Sequence, residues 1–319
     1  MKKVRSLAIA SLFVLSVASV AAGTLVEKFA TDPALAGWRI FGNTNLFQWD
    51  STNHVLDVTW DSTQPNSYFY HPLGVTLTTN DSFCVQFDLQ LTNASVSGSG
   101  NEIAIGLLHF SDATNTDFNR ANSPLPNLFE FDYFPAFVYD GDSYPASVNA
   151  TLKDSQSGYA GFYVVYDNVT LDSTVTYRVV LIHRAGEGVI TGAICTNGVV
   201  VSKLPLGYGS APVGNFQFDT LSVNCFTDDG YGDSVFAQGT VANLAFATPL
   251  PVEKINSSTT GVVQFASDTN WLYQLEQSTD FQNWSPAAPP VPGNGTNLVL
   301  RATNPPPDKT FYRVRADLP

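Results

Sequence analysis

Between Phe83 and Leu91 the chain alternates without a break: Phe83, Val85, Phe87, Leu89 and Leu91 take one parity, and Cys84, Gln86, Asp88 and Gln90 the other. An apolar residue at every second position puts one face of an extended strand into a core and leaves the other for a different environment, which no helix can do. The same pattern predicts strands over 177–182, 189–194, 216–223 and 235–246, and clusters such as Ser97-Gly98-Ser99-Gly100, Asn197-Gly198 and Asp229-Gly230 separate them as turns. Asn197-Gly198, set between two apolar runs, predicts a two-residue hairpin. Asp32-Pro33-Ala34-Leu35-Ala36-Gly37 reads as one helical turn, with Asp32 as the cap, Pro33 in the first position and Gly37 as the stop. About a dozen strands of this kind describe a double-sheet sandwich, not a small barrel. Composition agrees: aromatic residues make up 13% and charged residues only 13%, too many rings for a disordered chain and too few charges for a helical bundle.

The first residues have a different character. Met1-Lys2-Lys3-Val4-Arg5, an apolar run from Leu7 to Val20 and the small residues Ala21 and Ala22 predict a signal peptide over 1–23. Its apolar run is shorter than the ~18 residues a membrane span takes. The expectation is export to the periplasm, cell surface or extracellular space, with no transmembrane segment in the mature chain. Removing Lys2, Lys3 and Arg5 takes the net charge from −13 to −16. Such acidity argues against nucleic acid and anionic lipid, which select basic patches, and suits cations or neutral ligands. Pro249-Leu250-Pro251 breaks the strand pattern and coincides with a change in charge balance. The predicted organisation is therefore a sandwich over 24–248, a linker over 249–252 and a small β module over 253–319. Cys84, Cys195 and Cys225 fall on three different predicted strands, so one disulfide at most can form, and their spacing matches no zinc pattern.

The segment Asn127-Leu128-Phe129-Glu130-Phe131-Asp132-Tyr133-Phe134 carries most of the functional information. In a strand, residues two apart project to one face about 6.6 Å from each other. Glu130 and Asp132 therefore stand side by side, expected on an open surface, with Phe129, Phe131 and Tyr133 buried beneath. Two adjacent carboxylates repel and call for an offset by a cation, by hydrogen-bond donors or by water. Asp140-Gly141-Asp142 follows closely.

These residues resemble the concanavalin A-like lectin and glucanase superfamily, in particular the legume-type lectins. There, a strand with Glu and Asp around an aromatic residue begins a paired transition-metal and calcium site. Glu130-Phe131-Asp132 matches that strand, and Asn101-Glu102-Ile103-Ala104-Ile105-Gly106-Leu107-Leu108 takes the place of the strand before it. The resemblance covers about 55 residues. It implies a concanavalin A-like antiparallel jelly-roll sandwich, a candidate calcium site from Glu130, Asp132, Asp140 and Asp142, and ligand contacts from Glu102, Phe134, Tyr139 and Tyr144. The sequence departs from the family where Ala136 stands for the loop asparagine, and no histidine follows as a transition-metal ligand. The superfamily's glucanases place a second glutamate a few residues on. Here Phe134 and Pro135 occupy those positions, and neither can donate a proton. No catalytic residue is assigned.

Thr227-Asp228-Asp229-Gly230-Tyr231-Gly232-Asp233 reads as a solvated turn before it reads as a cation loop. Trp38, Trp49, Trp60 and Tyr68-Phe69-Tyr70 read mainly as core, and His54, His71, His109 and His183 as structural residues. The tail, with Tyr273, Leu275 and Trp284 as one buried face completed by Phe311 and Val314, is similar to fibronectin-III-like modules that close exported proteins of environmental bacteria. The combined expectation is an exported, non-catalytic carbohydrate-binding or adhesion protein, its partner a glycan or cell-surface polysaccharide. The alternatives are a structural envelope or interaction protein with no small ligand, and a glycan-cleaving enzyme.

Overall fold

The computed structural model describes residues 23–97, 103–118, 120, 127–154, 162–186, 188–197, 199–204, 213–227, 234–248, 261–267, 272–279, 284–294, 296–303 and 310–317. The predicted signal peptide (but for Gly23), Glu102, the 228–233 turn and the 249–252 linker lie outside these residues.

The first strands in chain order are β1 (Gly23–Glu27), β2 (Arg39–Phe41), β3 (Phe47–Asp50), β4 (Val55–Asp61), β5 (Ser67–Leu77) and β6 (Phe83–Ser97). Next come β7 (Ile103–Leu108), β8 (Leu128–Phe134), β9 (Phe137–Tyr139), β10 (Asp142–Tyr144), β11 (Ser147–Lys153) and β12 (Phe162–Asp167). The sandwich closes with β13 (Tyr177–His183), β14 (Ile190–Thr196), β15 (Val199–Leu204), β16 (Phe218–Cys225) and β17 (Ser234–Thr248). An eight-stranded antiparallel sheet runs β15-β14-β13-β6-β17-β4-β3, with β1 paired to β17. A seven-stranded antiparallel sheet runs β12-β11-β8-β7-β16-β5-β2. This is the two-sheet all-β sandwich that the alternation predicts.

The core lies between the sheets and is built from the predicted parities. Phe83, Val85, Phe87, Leu89 and Leu91 of β6 and Phe129, Phe131 and Tyr133 of β8 all belong to one buried cluster. Rings from opposite sheets meet edge to face: Phe83 on Phe129 with centroids 5.0 Å apart, and Phe87 on Phe131 at 5.8 Å. Such pairs add about 0.5–1.5 kcal/mol each beyond their buried area. Trp38 and Trp60 are buried in this core, as the sequence suggests.

The local signals also resolve as read. Pro33–Ala36 forms one 3-10 turn, Asp32 accepts the Ala34 N–H at 2.9 Å, and Gly37 stops the turn at φ +95°. That backbone conformation strains any residue with a Cβ. Thr196 pairs with Val199 across the predicted hairpin, and Asn197 adopts φ +49°. The three cysteines are free thiols, and burial pushes Cys84 and Cys225 up to about 12.

The tail forms β18 (Val262–Ala266), β19 (Leu272–Ser278), β20 (Ser285–Pro286), β21 (Val291–Pro292), β22 (Asn297–Arg301) and β23 (Phe311–Asp317). β18 pairs with β22, and β19 pairs with β20, β21 and β23. Tyr273, Leu275 and Val314 are buried as predicted, but Tyr312 and Ala316, not Phe311, complete the face. Period two requires this, because Phe311 and Val314 are three apart and point to opposite sides of one strand. Trp284 is half-buried and carries the Arg313 guanidinium 4.4 Å above its ring. The tail's apolar cluster continues into Cys84, Val180 and Ile182, which project from the outer face of the eight-stranded sheet. Arg184 donates to the Ala316 carbonyl at 3.1 Å across the same junction. So small a core gains by leaning on a larger one.

Candidate functional site

With the tail on the eight-stranded sheet, the outer face of the seven-stranded sheet is where the predicted acids lie. β8 puts Glu130 and Asp132 on that face, side by side and opposite Phe129 and Phe131, as period two demands. The expected open surface is corrected here, because Glu130 is 0% and Asp132 1% exposed. Arg120 inserts over them. Its Nε donates to Glu130 Oε1 at 2.9 Å, while Nη2 lies 2.7 Å from the same oxygen and 2.8 Å from Asp132 Oδ1. Thr151 donates to Asp132 Oδ2 at 2.6 Å, and Asn224 Nδ2 to Glu130 Oε2 at 3.2 Å. Lys153 Nζ donates to the Arg120 carbonyl at 3.0 Å, and the Phe226 ring lies 5.4 Å from the guanidinium. The offset that two adjacent carboxylates require is therefore a guanidinium from the chain itself, helped by two neutral donors.

Strand register explains why these side chains meet. Glu130 lies between Gly106 and Thr151, and Asp132 between Ala104 and Asn149. Gly106 in turn pairs with Ser222, and Ala104 with Asn224. A Cβ at Gly106 would fall on the Phe129 carbonyl and the Glu130 Cα, so the neighbouring strand sits where only glycine fits. Burial pushes the Asp132 carboxyl up to about 7; Arg120 pulls it down and Glu130 pushes it further up. Burial, with Glu130 adding to it, also raises the Tyr68 hydroxyl well above its ordinary range.

The four residues of the expected calcium site do not come together. Glu130 and Asp132 are committed to Arg120, whereas Asp140 and Asp142 are exposed on the β9–β10 hairpin. Among the described residues, no group of three or more His, Cys, Asp or Glu is placed to hold a metal ion. Of the expected ligand residues, Glu102 lies outside the described residues, as does the side chain of Tyr139. Phe134 is half-buried at the end of β8. Tyr144 is 43% exposed and stacks on Phe137, with centroids 4.8 Å apart.

The seven-stranded sheet opens instead at its β2 edge. A cleft of about 460 Å³ is lined there by Arg39, Tyr70, Thr76, Phe110, Asp219 and Thr220, among others. Tyr70 and Phe110 lie 4.4 Å apart at 30°, giving the cleft an aromatic wall. Phe110 begins the single helical turn α1 (Phe110–Ala113), and its N–H donates to Asp219 Oδ1 at 2.9 Å. His109 adds a second tie, with Nδ1 3.0 Å from Asp112 Oδ1 and Nε2 3.7 Å from Asp219 Oδ2. The sequence reads His109 as a structural residue; its partners are Asp112, three residues on, and Asp219 of β16. Arg39 and Tyr70 are direct cross-strand partners on β2 and β5. The sequence does not single out Arg39. The available signal was Tyr68-Phe69-Tyr70, where alternation buries Phe69 and turns both tyrosines outward. Tyr68 is then covered, while Tyr70 lines the cleft.

No family model and no curated protein matches the chain. Among solved structures it is similar to the lectin UEA-II complexed with galactose, at 12% identity, covering 71% of this chain and 98% of that one with a TM-score of 0.46. It is also similar to the metal-free lectin I-B4 of Griffonia simplicifolia, at 10% identity over 71% and 99% with a TM-score of 0.42. An endo-β-1,4-glucuronan lyase from the fungus Trichoderma reesei matches at 14% identity over 66% and 87%, with a TM-score of 0.36. All three are likenesses at 14% identity or less.

Proposed function

We propose that this chain is an exported, non-catalytic carbohydrate-binding protein whose ligand lies in the cleft at the β2 edge of the seven-stranded sheet. The observation that carries the reading is the Tyr70–Phe110 wall beside Arg39, Thr76, Asp219 and Thr220. Sugars present apolar C–H faces ringed by hydroxyls, and a site that pairs aromatic surface with a few fixed polar groups suits both. His109 and Asp219 hold Phe110 in place before any ligand arrives, so little ordering is left for binding to offset. Glu130 and Asp132 serve this reading as scaffold. They anchor Arg120 and, with it, the cover over the middle of the sheet.

A second reading, an envelope or interaction protein without a small ligand, draws on the same buried ion-pair network, since that network spends the predicted metal-type acids on internal structure. A glycan array probed with the full chain, with and without EDTA, separates the two. Binding to a glycan family that Tyr70→Ala abolishes supports the first reading. Absence of binding to every glycan in both conditions overturns it.

A further inference from the structure

The cleft's charges are unevenly satisfied, and that imbalance identifies the kind of sugar it selects. Asp219 is partly engaged: Oδ1 accepts from the Phe110 N–H at 2.9 Å and from Thr220 Oγ1 at 2.8 Å, and Oδ2 lies 3.7 Å from His109 Nε2. The Arg39 guanidinium, by contrast, is exposed and makes no ion pair or side-chain hydrogen bond with any described residue, although Arg39 stands directly across the strand from Tyr70. Other arginines of the sandwich are spent, Arg120 on Glu130 and Asp132, and Arg178 on Asp88. A guanidinium is a planar fork of donors that matches a carboxylate in two parallel hydrogen bonds. Set beside aromatic surface, where water is partly excluded, such a pair gains strength over one in open solvent.

Resting on the carbohydrate reading above, we propose that the cleft selects a glycan bearing an isolated carboxylate, with the acidic sugar on Arg39 and a neighbouring ring against Tyr70. The remainder of the surface sets the limit on charge. Residues 23–252 carry 7 Lys and Arg against 22 Asp and Glu. A densely charged polyanion meets that field along its whole length, while a sparsely charged glycan meets it at one screened point.

Titration of the full chain with xylotetraose, and with xylotetraose carrying one glucuronic acid branch, tests the assignment. The branched ligand is expected to bind at least tenfold tighter. Arg39→Met should abolish the preference, bringing the two ligands to within about twofold of each other, and Arg39→Lys should recover part of it. Tyr70→Ala should weaken both ligands together. Equal affinity for the two oligosaccharides, an Arg39→Met variant that keeps the preference, or equal capture of a sulfated xylotetraose overturns the carboxylate assignment. If the array shows neutral glycans bound through Tyr70 while acidic ones are ignored, this inference fails and the carbohydrate reading stands. If no glycan of either kind binds, the carbohydrate reading fails first.

Discussion

Replacing Arg120 by Met keeps most of the side chain's volume and removes its charge. Three contacts of 2.9, 2.7 and 2.8 Å vanish, leaving two carboxyls of 0% and 1% exposure without a cation. Charge-assisted hydrogen bonds contribute roughly 1.5–3 kcal/mol each. Part of that is returned because a buried guanidinium no longer has to be desolvated, so the net loss should match that of a broken buried ion pair, about 3–5 kcal/mol. That is a large share of the ~5–15 kcal/mol holding a typical domain folded. The loss should depend on pH with a definite sign. Without Arg120 the folded-state Asp132 carboxyl, already pushed up to about 7, titrates higher still, while in the unfolded chain it stays near ~4. The variant's deficit is then smallest below pH 7, where Asp132 is protonated in both folded proteins, and grows as pH rises past 7. Urea unfolding of wild type and variant at pH 4.5, 6 and 7.5 measures it. Adding Glu130→Gln and Asp132→Asn to the variant should recover most of the deficit at pH 7.5, since no uncompensated charge then remains. A deficit within about 0.5 kcal/mol at pH 7.5, independent of pH, would refute the reasoning.

Phe131→Ala, which empties the ring seat facing Phe87, should cost about 3–5 kcal/mol in urea unfolding, with the slope of the transition unchanged. His183 is buried against Phe83 and Phe216 with Nδ1 2.9 Å from the Asp81 carbonyl, and burial holds it below its ordinary value. A lowered folded-state value means stability present above ~6.5 and lost as pH falls below it; the advantage of wild type over His183→Asn should therefore shrink between pH 7.5 and 5. Ile182→Asp places a charge in the junction between sandwich and tail, and should expose residues 262–317 to limited proteolysis under conditions that leave the wild type intact. Calcium and EDTA should leave the unfolding midpoint of the wild type unchanged, because Arg120 already covers the Glu130 and Asp132 oxygens. A rise of several degrees with calcium would contradict that assignment.

Strand parity was the most legible feature of the sequence. It places Phe87 and Phe131 in one core and turns Glu130 and Asp132 together onto the opposite face, while cap and turn residues locate the Asp32-capped turn and the Asn197 hairpin. Parity states which residues share a face but not what lies on it. Whether Glu130 and Asp132 meet solvent depends on Arg120, which stands outside any periodic segment and arrives by tertiary folding. The cleft was hidden for a related reason. Arg39 and Tyr70 are far apart in the chain, and only the β2–β5 register makes them neighbours. The resemblance around Glu130 directed attention to the β9–β10 hairpin, where Asp140, Asp142 and Tyr144 stand in solvent apart from the buried acids. Two adjacent carboxylates called for a cation, hydrogen-bond donors or water, and the chain itself supplies a guanidinium and two neutral donors.

The most direct test of the account is a crystal structure of the full chain with the tightest ligand found on the array. The account predicts sugar density between Tyr70 and Thr220, with the Arg39 guanidinium against it and Glu130 still closed beneath Arg120. Sugar bound instead at the Asp140–Tyr144 hairpin, or an ion between Glu130 and Asp132 with Arg120 swung away, would contradict it.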